Sequence, residues 1–254
     1  MSERSRRARF LAVGTVAAVA AAALTVVVAA GFRTSSGLEA RLTSAPSVAS
    51  TPITALSSPP SVASRPAAPV TADREWVADR AARTGIPEPA MRAYAAAALR
   101  ERARTPGCGL GWSTLAGIGE VETHHGTIGR RTLTPDGKAF PRITGIALDG
   151  GDTDRIQDTD GGSLDGDPRW DRAIGPMQFI PETWRTWGVD ADGDGLADPD
   201  DLDDAAATAA AYLCADGHEL GNHAGWVAAV GSYNHHEDYV RAVAEAANRY
   251  GSLT

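Results

Sequence analysis

The chain has 254 residues, of which 43% are hydrophobic and 22% charged, enough for one globular domain with extensions. Its formal net charge is -8. Arg4, Arg6, Arg7, Arg9 and Arg33 all precede residue 34 with only Glu3 against them, so the remainder is more acidic still. An acidic globular part argues against nucleic acid as a partner.

The basic run ending at Arg9 leads into Phe10 to Gly31, which is uncharged and rich in Ala and Val. Its length is about the 20 residues that span a bilayer, and the arginines favour a cytoplasmic N-terminus. Residues 1–33 therefore read as a single membrane anchor. The alternative is a long signal peptide cut near Ala29-Ala30. Either way the rest is exported, to the cell surface or beyond. Residues 34–72 read as a disordered linker, rich in Ser, Ala, Thr and Pro and with too few large apolar residues to close a core.

The folded domain, residues 73–254, is expected to be mainly α, with no strand-rich block. Helices are expected over Glu75 to Arg83 and Glu88 to Arg104, broken at Ile86-Pro87. In the second, Met91, Tyr94, Ala95, Ala98 and Leu99 make an apolar stripe that reads as core. A third helix carries Leu115-Ala-Gly-Ile-Gly-Glu-Val-Glu-Thr-His-His-Gly126. At a helical period, Leu115, Ile118, Gly119 and Glu122 share an inward face, while Glu120 faces the other way. An inward carboxylate is either a paired structural acid or a catalytic acid raised by desolvation.

The stretch from Gly126 to Trp170 is the least regular, full of Gly and Asp. So long a loop inside a domain is functional or mobile. Pro181 opens a short helix carrying Trp184 and Trp187. An Ala-rich helix runs from Asp203 to Cys214, its early acids matching the positive end of the helix dipole. Two more helices flank Ser232-Tyr-Asn-His-His236. Trp170, Trp184, Trp187 and Trp226 read as core, one or two of them lining a groove. With export expected, Cys108 and Cys214 pair, closing a loop of about 105 residues worth roughly 4–5 kcal/mol.

Asp190-Ala-Asp-Gly-Asp-Gly-Leu-Ala-Asp-Pro-Asp-Asp201 has the spacing of a twelve-residue calcium loop. Asp190, Asp192 and Asp194 take the first three ligand positions and Gly195 the sharp turn. Leu196 offers its carbonyl, Asp198 follows, and Asp201 closes the loop where Glu is usual. Calcium here would be structural; the other reading is a solvated acidic turn. The pairs His124-His125 and His235-His236 lack the i, i+4 spacing and cysteine partners of a zinc site, so zinc is not expected.

Four pieces occur in order: Ile118-Gly-Glu-Val-Glu-Thr-His-His-Gly126, Ala173-Ile-Gly-Pro-Met-Gln-Phe-Ile-Pro-Glu-Thr-Trp184, the acidic loop, and Ser232-Tyr-Asn234. Together they resemble the lytic murein transglycosylases of the B type, which have a lysozyme-like fold. The resemblance runs from about Asp73 to the C-terminus and is poorest in the middle loop. It implies Glu122 as the catalytic acid, and Thr123, Gln178, Tyr233 and Asn234 as substrate-binding residues. Pro176 departs from the family's Leu. The implied reaction cleaves the bond between N-acetylmuramic acid and N-acetylglucosamine, with one glutamate acting as acid and then base to give a 1,6-anhydro product. The implied partner is peptidoglycan, met by a monomer without an organic cofactor. Three alternatives remain: a hydrolytic muramidase taking a second acid from Asp165, Asp167 or Asp171, a non-catalytic module binding wall glycan, and a calcium-sensing adaptor, which a single loop without a paired loop disfavours.

Overall fold

The computed structural model describes residues 69–151 and 153–253. The expected anchor and almost all of the linker lie outside them. Among the described residues, no helix is long and apolar enough to cross a membrane.

Asp73 caps the first helix, its side chain accepting from Trp76 N at 2.9 Å. That helix, α1 (Arg74–Thr84), ends at Gly85 with a φ of 75°, the left-handed position that suits glycine. Pro87 separates it from α2 (Glu88–Arg104). The buried face of α2 carries Ala90, Met91, Ala93, Tyr94, Ala97 and Glu101. Leu99, expected in the core, is 46% exposed. The helix turned out to bury its small residues: an alanine-rich face packs against another alanine-rich helix, and the branched Leu99 is left outside.

The third helix, α3 (Trp112–Thr123), is the middle of the molecule, packing on α2 and on the last helix. Glycine makes that possible. A Cβ at Gly117 would lie 2.9 Å from Val243 O, and one at Gly119 would overlap the Tyr94 hydroxyl. Leu115, Ala116 and Ile118 are fully buried. The helix stops at His124, whose φ of 52° turns the chain out of helical geometry.

The middle stretch is more regular than expected. β1 (Thr132–Leu133) pairs antiparallel with β2 (Ala139–Phe140), and β3 (Thr144–Ala147) with β4 (Arg172–Ile174). Strands this short show no usable alternation. The turn between β1 and β2 closes through Gly137 N to Thr134 O at 2.9 Å.

Four helices follow: α4 (Pro181–Trp187), α5 (Leu202–Leu213), α6 (His223–Tyr233) and α7 (Glu237–Ser252). α5 is the alanine-rich partner of α2. α7 lays Val243, Ala246, Ala247 and Tyr250 into the core, on the side of α3 where Gly117 opens the space. Cys108 and Cys214 form a disulfide with a Cα–Cα distance of 5.5 Å, tying the approach to α3 to the end of α5.

Candidate active site

Glu122 lies in the last turn of α3, where the inward stripe reaches the edge of the core, and is half-buried. Tyr239 of α7 donates its hydroxyl to Glu122 Oε1 at 2.6 Å. Loss of water around the carboxyl pushes its pKa up to about 7, and the Tyr239 hydrogen bond, which favours the ionised form, opposes this. Tyr239 itself is pushed up, by burial and then by the Glu122 charge, so it remains a donor. Tyr239 was not expected at the site. Its pairing with Glu122 spans 117 positions, and no local pattern signals it.

Glu120 has the opposite life. It forms an ion pair with Arg249 of α7. Burial would raise it, but hydrogen bonds with Tyr250 and Arg249 outweigh this and hold it below the usual carboxylate range. Two carboxylates two residues apart thus divide into a structural acid and a protonatable one.

Thr123, expected among the substrate-binding residues, is 1% exposed. Its hydroxyl donates to Pro176 O at 2.6 Å and accepts from Gly126 N at 2.9 Å. It fastens the turn Gly175-Pro-Met-Gln178 to the end of α3. That turn is held from its other side as well: the Gly175 φ is 72°, and Pro199 O fills the space a Cβ would need. Gln178, also left-handed at a φ of 52°, donates from Nε2 to Gly175 O at 2.9 Å.

Tyr233 closes the other wall. Its hydroxyl donates to Met177 O at 2.7 Å, and its ring meets Phe179 and Tyr212 edge-on. Burial and then the Glu122 charge push its phenol up. Asn234 follows, with Oδ1 accepting from His236 N at 3.1 Å. Gln178, Tyr233 and Asn234 line one cavity of about 550 Å³, together with Ile156, Thr183 and Tyr212. Glu122 does not line this cavity. Its charge acts on the phenol of Tyr233, which does line the cavity. Of the tryptophans, Trp184 is core, Trp187 meets Tyr212 edge-on, Trp170 carries Arg155 over its ring, and Trp226 lines a separate cavity beside α6 and α7.

Asp165, Asp167 and Asp171 are engaged within the middle stretch. Asp165 accepts from Asp167 N and Arg172 N at 2.9 and 2.6 Å. Asp167 pairs with Arg172 at 2.8 Å, and Asp171 accepts from Thr159 N and Oγ1 at 2.9 and 2.8 Å.

In the acidic loop, oxygens of Asp190, Asp192 and Asp204 lie within 4.8 Å of one another. Asp204 was not expected there. It lies just past the twelve-residue window, in the first turn of α5, and accepts from Ala191 N and Asp198 N at 2.7 and 2.9 Å. Asp201, expected to close the loop, instead caps α5 through Asp203 N at 2.9 Å and stands 3.8 Å from Lys138 Nζ. Asp198 also faces Lys138, at 3.3 Å. Asp194 accepts from Leu196 N at 2.8 Å, and the Leu196 side chain is exposed. Burial, and then neighbouring acids, push Asp201 up to about 7 and Asp204 up to about 6, although backbone hydrogen bonds oppose both shifts.

Residues 157–248 match the family described as "Transglycosylase SLT domain". That span holds Gln178, the acidic loop, Tyr233, Asn234 and Tyr239, but ends short of Glu122 on the N-terminal side, and it covers less than half of the chain. No curated protein matches. The solved structures that match include the Escherichia coli lytic transglycosylase Slt35 in complex with calcium. It is 15% identical with a TM-score of 0.42, over 71% of this chain and 76% of that one. The same E. coli enzyme in complex with bulgecin A matches at 16% identity and a TM-score of 0.41, over 71% and 75%.

Proposed function

We propose that this chain is a peptidoglycan lytic transglycosylase of the B type, with a lysozyme-like catalytic domain and Glu122 as its one catalytic carboxyl. The observation that carries the reading is the state of Glu122. Its pKa is raised to about 7 by burial, and its hydrogen-bond partner is a hydroxyl. Such a group can donate a proton and take one back near neutral pH. The family match over residues 157–248 supports the substrate class.

In this reading, protonated Glu122 donates to the glycosidic oxygen between N-acetylmuramic acid and N-acetylglucosamine. The substrate's acetamide stabilises the oxocarbenium-like carbon. The glutamate, now ionised and steadied by Tyr239, takes the proton from the muramoyl 6-hydroxyl as that oxygen closes on the same carbon. Gln178, Tyr233 and Asn234 position the sugar from the cavity wall. A hydrolase would need a second carboxylate, about 5–9.5 Å from the first depending on stereochemistry. The acids that could supply one are engaged in holding the middle stretch together.

Calcium enters as a structural ion. Asp190, Asp192 and Asp204 are hard oxygen donors gathered at one point, as such an ion requires, so the residues fit. Bound there, the ion would neutralise acids that otherwise repel. The loop that carries it also carries Pro199, against which Gly175 rests, so stiffening the loop stiffens the turn that presents Gln178. The N-terminal apolar segment and linker would place a monomeric domain outside the cell membrane, tethered or released.

The experiment is Glu122→Gln, an isosteric change that keeps the volume and loses the proton. Lysis of purified peptidoglycan should fall by about 10³-fold or more, within the range for removing a central acid–base group. A variant that keeps most of its activity would assign the acid elsewhere.

A further inference from the structure

The histidines set aside in the sequence acquire a partner in the fold. His235 and His236 lie at the junction of α6 and α7, and Asp154 belongs to the stretch between β3 and β4. Ligand atoms from all three lie within 4.8 Å of one another, and His235 Nε2 is 3.9 Å from Asp154 Oδ2. The two rings stand 4.4 Å apart between centroids and are inclined by 30°. Neighbours on extended backbone ordinarily point to opposite sides. Here both imidazoles present themselves on one side, toward the same carboxylate.

We propose that Asp154, His235 and His236 form a binding site for zinc or a similar borderline transition ion at the mouth of the glycan cavity. Three arguments carry this. The donor set is one that zinc takes: two imidazole nitrogens, a carboxylate oxygen and an open position for water or substrate. The spacing is near what is needed, since two ligands on a tetrahedral zinc stand about 3.4 Å apart. The histidine–aspartate pair is close to that, and the exposed side chains are free to close the remainder. The groups are also spent on nothing else. Among the described residues, the Asp154 carboxylate has no ion-pair partner besides the His235 ring, and the His235 and Asp154 side chains are 69% and 67% exposed. A contact that open to solvent adds little to stability, so stability does not account for the arrangement.

The position gives the site a consequence. Asp154, His235 and His236 all line the cavity that holds Gln178, Tyr233 and Asn234. An ion shared by them would tie the middle stretch to the α6–α7 junction across the entrance. Zinc would then slow glycan entry, making the site an inhibitory clamp. This consequence rests on the cavity being the substrate cleft; the metal binding does not.

The test is calorimetric titration of the purified chain with zinc at pH 7.5, with calcium in excess to fill the acidic loop. One zinc per chain is expected, with affinity lowered at least tenfold by Asp154→Asn and by His235→Gln. Equal binding by the native chain and by the triple variant Asp154→Asn, His235→Gln, His236→Gln would overturn the site. Peptidoglycan release is then followed with and without zinc. Inhibition reversed by a chelator, and lost in the variants when each is compared with its own zinc-free rate, supports the clamp. Zinc that binds through these residues without slowing release overturns the clamp and leaves the metal site standing. If the chain releases nothing even without zinc, the enzymatic reading fails, and with it the clamp, while the titration still decides the site.

Discussion

Glu122 stores a cost in the folded state. Its carboxyl titrates at about 7 when folded and at an ordinary carboxylate value when unfolded. Between those values the folded chain holds the extra proton, so stability falls as pH rises through that window and stays lower above it. Glu122→Gln removes the penalty. Thermal unfolding should show the variant more stable than the native chain at pH 8, by up to about 3 kcal/mol, and level with it at pH 4. No gain at pH 8 would mean that the carboxyl is not held in the raised state. The same titration should make lysis decline as pH rises past about 7, as the acid loses its proton. In the proposed reading, this stability cost accompanies the acid's chemistry, a common balance at catalytic groups.

The packing of α3 decides where that carboxyl points. Gly119 faces the Tyr94 hydroxyl with no room for a methyl group. Gly119→Ala should destabilise the fold by about 1–3 kcal/mol and reduce lysis with it. Gly231→Ala in α6 meets nothing within 4 Å and should be neutral or slightly stabilising. Equal melting temperatures for the two variants would contradict the close approach of α2 to α3. Just past α3, His125 ties three helices together. It lies 3.2 Å from the Tyr94 hydroxyl of α2 and 2.9 Å from the Tyr250 hydroxyl of α7. Burial lowers its pKa to about 4, so it is neutral in the fold. Unfolded, it takes a proton near its ordinary pKa of about 6.5. Stability should therefore fall as pH drops from about 6.5 to 4, by up to about 3 kcal/mol from this group, and His125→Asn should flatten that slope. An unchanged slope in the variant would assign the acid sensitivity to other groups.

Legibility in the sequence followed the range of the interaction. Helical period and caps placed α1, α2, α4 and α5 and set Glu122 apart from Glu120, because those signals act within a few residues. The Leu99 expectation failed because an alanine-rich face does not look like a core until its partner helix is known. β1 to β4 gave no alternation, although Thr134-Pro-Asp-Gly137 is a turn sequence with a mechanism of its own. Tyr239, Asp204 and the Asp154–His235 pair were invisible because each depends on the tertiary fold. Thr123 was expected at the substrate from family resemblance, and only burial shows that its hydroxyl serves the backbone.

Taken as a whole, the domain is braced at two places away from Glu122. The Cys108–Cys214 disulfide joins the approach to α3 to the end of α5, and the acidic loop leads into the start of α5. Calcium should act on the second brace. Adding it to the chelated protein should raise the melting temperature by several degrees, consistent with about 2–3 kcal/mol of binding linkage at ion concentrations well above the dissociation constant. Asp204→Asn should remove the gain, whereas Leu196→Ala should keep it. A melting temperature indifferent to calcium would make the loop a solvated acidic turn.

One carboxyl acting twice leaves a chemical signature that the alternatives do not share. Purified peptidoglycan should be digested with the folded domain and the released muropeptides weighed by mass spectrometry. The account predicts products ending in 1,6-anhydro-N-acetylmuramic acid, one water lighter than the reducing-end sugars of a hydrolase, and none released by the Glu122→Gln variant. Reducing-end products from the native chain, or no release at all, would contradict it.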